Sequence, residues 1–277
     1  IPIIREQHTC ELGGRHQFGV GAGNPQSTQN LQPLRIILVG GVDEVETLRN
    51  FADDVAGGVA FLKKQKDIGK VGLMGHSEGG LIAPMVAVNS SDVAFIVLLA
   101  GPGLSGEEIL LAQGHLIAKV AGAKEADLAR QREVQLALCK LIKEDATEEQ
   151  LKKAGEELET KLTEEERKEV GKGGIEAAIK KLSTPWFRYF IKYDPRPTLQ
   201  KVQCPVLAVI GEKDLQVPAK ENLAELEKAL KAGGNKNFTT KELANLNHLF
   251  QNCKTGLPKE YGQIEETFAP GALTLLS

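Results

Sequence analysis

The stretch of sequence that decides the fold is residues 70–88, KVGLMGHSEGGLIAPMVAV. It begins with an apolar run, continues with the pattern G-x-S-x-G around Ser77, and ends in small residues compatible with a helix. A strand, a sharp turn that carries the serine, and a helix form the setting in which this pattern exposes a nucleophilic hydroxyl. Gly75 and Gly79 carry no side chains that would collide in so strained a turn. The stretch predicts a nucleophile turn and a helix beginning at Ser77; a glycine-rich turn between ordinary elements is the alternative.

The segments on either side of this stretch alternate between strand-like and helix-like patterns. Apolar or alternating runs predict strands at residues 34–39, 93–100, 205–211 and 238–243. Helices are expected at residues 47–66, 222–232 and 264–276, the last interrupted by Pro270 and Gly271. Strands that alternate with helices predict an α/β fold with a mostly parallel sheet covered on both faces.

Residues 104–193 differ in composition from the rest of the chain. The region as far as residue 181 is rich in Ala, Glu, Lys and Leu, and capping-box patterns at residues 147–150 and 163–166 indicate at least three helices. We interpret residues 104–193 as an all-helical cap over the carboxyl ends of the strands. The predicted core then comprises residues 1–103 and 194–277.

Aromatic residues cluster at the end of this predicted cap. Residues 185–193 hold five of the thirteen aromatic side chains of the chain. Trp186, Phe187 and Tyr189 are candidates for an apolar substrate pocket. Packing within the core would explain the cluster equally well.

A nucleophilic serine needs a base to take its proton and an acid to orient that base. On α/β-hydrolase folds these residues occur in the chain order Ser, Asp or Glu, His. Asp214 directly follows the predicted strand 205–211, and His248 follows the predicted strand 238–243. Both are therefore expected at the sheet edge where such folds bind ligands. The four other histidines lie too early in the chain, beside the serine or in the helical region: His8, His16, His76 and His115.

Glu78 follows the serine directly. We expect its backbone N–H to be a donor in an oxyanion hole. Its carboxylate is expected to turn aside and form a local hydrogen bond.

Composition excludes several other functions. The chain has 277 residues, a formal net charge of −3, 42% hydrophobic and 26% charged residues, which is typical of a soluble globular protein without a nucleic-acid surface or membrane span. The four cysteines are far apart, so no zinc or redox motif is present. The glycines at 19–23 lack the spacing of a dinucleotide motif. We expect no metal and no cofactor; a homodimer and the compartment are left open.

Several motifs in the predicted order resemble one family. GHSEGGLIAPMVA, VAFIVLLAGPG, PVLAVIGEKDLQVP and LNHLFQ look like the bacterial α/β-hydrolases with a helical cap, in the serine-esterase and acyl-peptidase-like group. This resemblance implies Ser77, Asp214 and His248 as a triad. It also implies an oxyanion loop, for which residues 21–26, GAGNPQ, offer an N–H near Gly23. The first fifty residues depart from the family pattern, so the N-terminal strands are expected to be abbreviated or atypical.

The sequence therefore predicts an enzyme that cleaves small to medium acyl carboxylic esters through an acyl-enzyme. A serine peptidase or acyl-CoA thioesterase using the same triad is the nearest alternative. A hydrolase-fold binding protein with impaired catalysis is the alternative from another class.

Overall fold

A computed structural model describes residues 35–39, 47–160 and 174–276. Gly23, and the N-terminal strands predicted to be atypical, lie outside these residues. The described sheet has five strands, all parallel, in the same order in space as in the chain. The strands are β1 Arg35–Val39, β2 Val71–His76, β3 Val93–Leu99, β4 Val206–Gly211 and β5 Phe238–Leu243. The prediction of an α/β fold with a parallel sheet is confirmed.

Ten α-helices are described, with one short 3₁₀-helix at Pro258–Gln263. The helices that connect or follow the strands are α1 Leu48–Lys63, α2 Gly79–Ala87, α9 Ala219–Ala232 and α10 Pro270–Leu276. Those between β3 and β4 are α3 Gly106–Val120, α4 Glu125–Lys143, α5 Glu148–Glu159, α6 Gly174–Ser183, α7 Pro185–Lys192 and α8 Arg196–Leu199.

The strands bury alternate side chains on the two faces of the sheet. In β4, Val206, Ala208 and Ile210 point to one core, and Leu207 and Val209 point to another. The helices α1, α2 and α9 all pack on the first face. This follows from the strand order, because right-handed crossovers between successive parallel strands place every connecting helix on the same side.

The second face of the sheet is covered from the C-terminal part of the chain. Val97, Leu99 and Val209 contact a cluster that includes Phe250 and Ala272 of α10. The closing helix predicted at residues 264–276 is shorter than expected, since α10 begins only at Pro270. Proline lacks a backbone N–H and has a fixed φ, so it fits the first turn of a helix better than its interior.

The helical region has a core of its own. Cys139, Ile142, Leu151, Phe187 and Ile191 are buried together, apart from the residues that pack on the sheet. The Thr147 capping box is present, with Thr147 Oγ1 accepting from Gln150 N at 3.2 Å and Gln150 Oε1 accepting from Thr147 N at 2.8 Å. The second predicted capping box, at residues 163–166, lies outside the described residues. Within the described ranges, no helix combines the length and apolarity needed to cross a membrane.

Candidate active site

Ser77 lies at the sharp turn between β2 and α2. Its φ is +53°, a left-handed conformation that a residue inside a helix cannot adopt. Helix α2 therefore begins at Gly79, and the expectation that it begins at Ser77 is wrong. The Ser77 N–H donates instead to the carbonyl of Leu99 in β3, at 2.8 Å. This bond attaches the strained turn to the neighbouring strand.

Gly75 makes the turn sterically possible. A Cβ atom at this position would lie 2.0 Å from the carbonyl oxygen of Gly79. Further along the chain, a Cβ at Gly80 would lie 2.5 Å from the Cα of Gly101. Helix α2 can therefore approach both its own strand and the loop after β3 only because these positions have no side chain.

Asp214 lies in the turn after β4 and is only 2% exposed. Its Oδ1 accepts hydrogen bonds from the backbone N–H groups of Gln216, at 2.9 Å, and Val217, at 2.8 Å. These two donors fix the orientation of the carboxylate. Its other oxygen, Oδ2, is left to face the loop after β5.

His248 lies in that loop and is 4% exposed. The residue before it, Asn247, braces the loop: its Oδ1 accepts from the N–H groups of Leu249 and Gln251, both at 3.0 Å. The Asn247 N–H donates to the Gln251 carbonyl at 3.0 Å. The loop therefore closes on itself and holds the imidazole in one orientation.

The two predicted partners meet. His248 Nδ1 lies 2.8 Å from Asp214 Oδ2 in a buried setting. Since a carboxylate accepts, Nδ1 carries the proton, and Nε2 of a neutral ring is the nitrogen with a free lone pair. The structure thus joins residues 34 positions apart in the orientation that a general base requires.

His76 connects this pair to the serine turn. Its Nε2 lies 2.9 Å from the backbone carbonyl of His248, and the two imidazole rings are 4.8 Å apart. A carbonyl oxygen can only accept, so Nε2 of His76 carries the proton. Burial, together with the proximity of His248, lowers the pKa of His76 to about 4, which keeps it neutral near pH 7.

The structure therefore brings His248 against the residue that precedes Ser77. Within the described part of the chain, no hydrogen bond joins Ser77 Oγ to the imidazole. Catalytic hydrogen bonds are often long before substrate binds, so this geometry is compatible with proton transfer.

The backbone and the side chain of Glu78 have different hydrogen-bonding environments. Its backbone N–H has no acceptor among the described residues, and it adjoins the serine, as an oxyanion donor should. Its side chain differs from the prediction of a local hydrogen bond. Oε1 accepts instead from the indole N–H of Trp186, 108 positions away in α7, at 2.8 Å. Burial raises the pKa of Glu78 to about 7.

These observations, with the order of the strands, decide the fold. The serine follows β2, the acid follows β4 and the histidine follows β5, which is the chain order of this fold class. Residues 55–166 also match the family model described as BAAT / Acyl-CoA thioester hydrolase C terminal. This chain has an α/β-hydrolase fold.

Three solved structures resemble the chain distantly. An esterase of Pyrococcus furiosus is 14% identical, with 70% of this chain and 52% of that chain covered and a TM-score of 0.39. An α/β fold family hydrolase of Bacillus anthracis is 20% identical, with 75% and 70% covered and a TM-score of 0.40. Est1E of Butyrivibrio proteoclasticus is 14% identical, with 81% and 83% covered and a TM-score of 0.43.

The chain spans about half the length of the Pyrococcus furiosus esterase chains that it matches. No curated protein sequence matches it significantly. At these identities and TM-scores the likeness says nothing about the substrate.

The three aromatic residues predicted to line a pocket have different surroundings in this α/β-hydrolase fold. Phe187 is buried in the core of the helical region, and Trp186 binds Glu78. Tyr189 lines an open cleft of about 440 Å³ on another side of α7. The other residues that line this cleft are Thr47, Pro185, Arg188, Lys192 and Tyr193.

Sequence reasoning missed the residues that support the Asp214 turn. The side chain of Gln216 accepts from Gln113 of α3 at 3.1 Å and donates to the Tyr261 hydroxyl at 3.2 Å. Burial and the charge of Asp214 raise the pKa of Tyr261 above its usual range. No local pattern marks these residues, because their partners are distant in the chain. The described residues include no group of three or more His, Cys, Asp or Glu placed to bind a metal.

Proposed function

We propose that this protein hydrolyses small to medium acyl carboxylic esters through an acyl-enzyme at Ser77. The observation that carries the proposal is the buried 2.8 Å hydrogen bond between Asp214 and His248. It lies beside a serine whose backbone is held at a φ of +53°. The family match and the fold support a hydrolase of acyl esters or thioesters.

In the first step His248 acts as the base. Its Nε2 takes the proton of the Ser77 hydroxyl while Oγ forms a bond with the carbonyl carbon of the ester. The imidazolium that results is stabilised by the Asp214 carboxylate, which the N–H groups of Gln216 and Val217 hold in place.

In the second step the tetrahedral intermediate collapses. The bond to the alcohol oxygen breaks, and that oxygen takes the proton from Nε2 of His248. Water then repeats the sequence on the acyl-enzyme: His248 removes its proton, the hydroxide oxygen attacks the acyl carbon, and Ser77 regains its proton as the acid leaves.

The negative oxygen of each intermediate needs hydrogen-bond donors. The N–H of Glu78 is the first proposed donor, and it is available because Glu78 precedes the first turn of α2. An N–H near Gly23 is the proposed second donor and lies outside the described residues. One such donor contributes roughly 100- to 1,000-fold in rate.

An acyl-CoA thioester is the second candidate substrate. The observation that favours it is the family match at residues 55–166, which carries thioester hydrolysis in its description. The triad attacks the same carbonyl carbon in both cases, and only the leaving atom differs, sulfur instead of oxygen. No cofactor or metal enters either proposed reaction.

The test compares p-nitrophenyl acetate, butyrate and octanoate with acyl-CoA thioesters and peptide p-nitroanilides of matched acyl groups. Rates for wild type, Ser77→Ala, Asp214→Asn and His248→Ala are measured beside labelling by a fluorophosphonate probe. We expect each of the three variants to lose at least ~1,000-fold in kcat/KM. The preferred leaving group decides between ester and thioester.

Matched controls exist for the acid and the base. Asp92→Asn changes an exposed aspartate that lies 3.8 Å from the ammonium of Lys63, and His115→Ala changes a histidine of α3. Both should keep wild-type rates. A folded wild type that neither turns over any substrate nor reacts with the probe would contradict the proposal and support a binding role.

A further inference from the structure

The side chain of Glu78 joins the candidate nucleophile turn to the helical region. Its Oε1 accepts from Nε1 of Trp186 at 2.8 Å, although the residues are 108 positions apart. Indole N–H can only donate, so Oε1 of Glu78 is the acceptor in this bond. The residue after Ser77 is thus attached directly to α7.

Trp186 is held in place from its other side. Its ring is stacked on Phe190, with centroids 5.3 Å apart and planes within 4°, and it meets Phe187 edge-on at 5.9 Å. Helix α7 is itself capped by Thr184, whose Oγ1 accepts from the Phe187 N–H at 3.3 Å. The indole is therefore a rigid donor, and its bond to Glu78 depends on the position of the whole helix.

We propose that Glu78 is a positioning residue: through Trp186 its carboxyl determines where the helical cap lies over the Ser77 turn. This inference rests on the proposed function for its effect on catalysis. A second contact joins the helical region to the turn that carries Asp214: Nε2 of Gln113 in α3 donates to Oε1 of Gln216 at 3.1 Å.

The other carboxyl oxygen makes this contact sensitive to pH. Glu78 Oε2 is buried and has no hydrogen-bond partner among the described residues. A proton on Oε2 is therefore favoured over a charge, and burial raises the pKa of this carboxyl to about 7. When Oε2 ionises, it must gain water or move, and either change disturbs the contact with Trp186.

Most ionisable groups on the elements around Glu78 are paired or neutral. His76 of β2 stays neutral above about pH 4, and His248 is bonded to Asp214. The cations of α7 have other partners. Arg188 donates to the carbonyls of Ser183 and Ala146. Lys192 binds the carboxylate of Asp145. In α3, Glu107 binds Lys143 and Glu108 binds Arg196. Helix α2 has no charged residue. The remaining ionisable residues of α3 are His115 and Lys119.

The chain's one tryptophan makes the test direct, because Trp186 is the only source of indole fluorescence. We expect the emission of the Ser77→Ala protein to change between pH 6 and pH 8. Glu78→Gln keeps the acceptor and cannot ionise, so the change should disappear. A His115→Ala control should retain it. A transition that survives in Glu78→Gln would overturn the inference.

Activity supplies the second readout. Glu78→Leu removes the acceptor, and Trp186→Phe removes the donor while leaving an aromatic ring to stack on Phe190. Each should raise KM about 10-fold, and the double variant should be no worse than the single variants, because both break one bond. Glu78→Gln should avoid most of the increase in KM that is expected for Glu78→Leu. Its KM should also not depend on pH between pH 6 and 8.

Additive effects of Glu78→Leu and Trp186→Phe, or an unchanged KM in both, would overturn the inference. The fluorescence measurement does not depend on turnover. The wild type could lack hydrolase activity and still show a fluorescence transition with pH that Glu78→Gln abolishes. That result would contradict the proposed function and support the contact between Glu78 and Trp186. The two failures are therefore distinguishable.

Discussion

Gly75 shows how a single missing side chain permits the candidate site. The atom that a Cβ would meet is a backbone carbonyl at 2.0 Å, and a backbone atom cannot rotate away as a side chain can. The turn would have to open to admit it. The position of Ser77 depends on that turn, so the cost should appear in reactivity.

We expect Gly75→Ala to reduce fluorophosphonate labelling of Ser77 by about 100-fold or more, since misplacing a nucleophile by ~1 Å has an effect of that order. The measurement is the labelling rate at constant probe concentration, with urea unfolding to show that the variant is folded.

The matched control is Gly57→Ala in α1. A Cβ at Gly57 has no atom within 4 Å, and its helix runs from Leu48 to Lys63. Alanine there should increase the free energy of unfolding by about 0.5–1 kcal/mol and leave labelling unchanged. Equal labelling of Gly75→Ala and wild type would contradict the steric account.

The buried carboxyl of Glu78 also affects stability at the residue scale. Its pKa is raised from 4.5 to about 7 by burial, so the folded state binds more protons than the unfolded chain in that range. Stability from this group is therefore lost as pH rises from about 4.5 to 7. The pKa of His76 is lowered from 6.5 to about 4, so its contribution has the opposite sign. The protein loses this contribution to its stability as the pH falls from 6.5 to about 4.

Among the elements, α9 does more than cover the sheet. Asn222 in its first turn is fully buried, and its Oδ1 accepts from the N–H groups of Gly103 and Leu104, at 2.9 and 3.2 Å. Its Nδ2 donates to the Pro218 carbonyl at 2.9 Å. The loop that leads from β3 into the helical region is thus attached to α9 by one side chain.

We expect Asn222→Leu to decrease the free energy of unfolding by ~3 kcal/mol, because two backbone N–H groups lose their acceptor in a buried place. Asn89→Ala is the matched control, since Asn89 is exposed and its bond to the Met85 carbonyl is local. It should change the free energy by less than about 0.5 kcal/mol. Urea unfolding of both variants makes the comparison, and similar losses in the two would count against the role of Asn222.

The C-terminal element differs from its local pattern. Apolar residues from 264 onward predict one helix, whereas the chain reaches α10 through residues 264–269. The Ala269 N–H donates to the Phe250 carbonyl at 2.8 Å, which holds this segment against the His248 loop. A hydrogen bond to a distant carbonyl replaces the one that a helix would supply.

At the scale of the whole molecule, the helical region has a hydrophobic cluster separate from the two clusters on the faces of the sheet. The sheet shares one large cluster with α1, α2 and α9 and a second with α10, whereas Cys139, Ile142 and Leu151 belong to the third, in the helical region. The contacts of Glu78 with Trp186 and of Gln216 with Gln113 join the helical region to the rest, together with Phe190, which packs against both the first and the third cluster. Units with separate cores can open independently.

We therefore expect Leu151→Ala to loosen the helical region without loosening the sheet. Leu151 is fully buried, and its truncation should cost ~3 kcal/mol within its own cluster. Hydrogen exchange should accelerate for amides of α4 and α5, and amides of β3 and β4 should keep wild-type protection.

Leu226→Ala is the matched control, because Leu226 is equally buried but belongs to the cluster on the sheet. Its truncation should accelerate exchange in β3 and β4. If Leu151→Ala accelerated exchange equally in both regions, the molecule would be one cooperative unit.

Local patterns in the sequence predicted the strands, the serine turn and the meeting of Asp214 with His248. Periodicity and turn chemistry depend on neighbours a few positions apart, and parallel strands must end at one edge, so the pairing of Asp214 with His248 follows from the pattern of the chain. Packing between distant elements decided that Glu78 binds Trp186, that Phe187 is buried in the core of the helical region, and that His76 contacts His248. These contacts join residues on different elements, and their geometry depends on how all the elements pack, which no local pattern records.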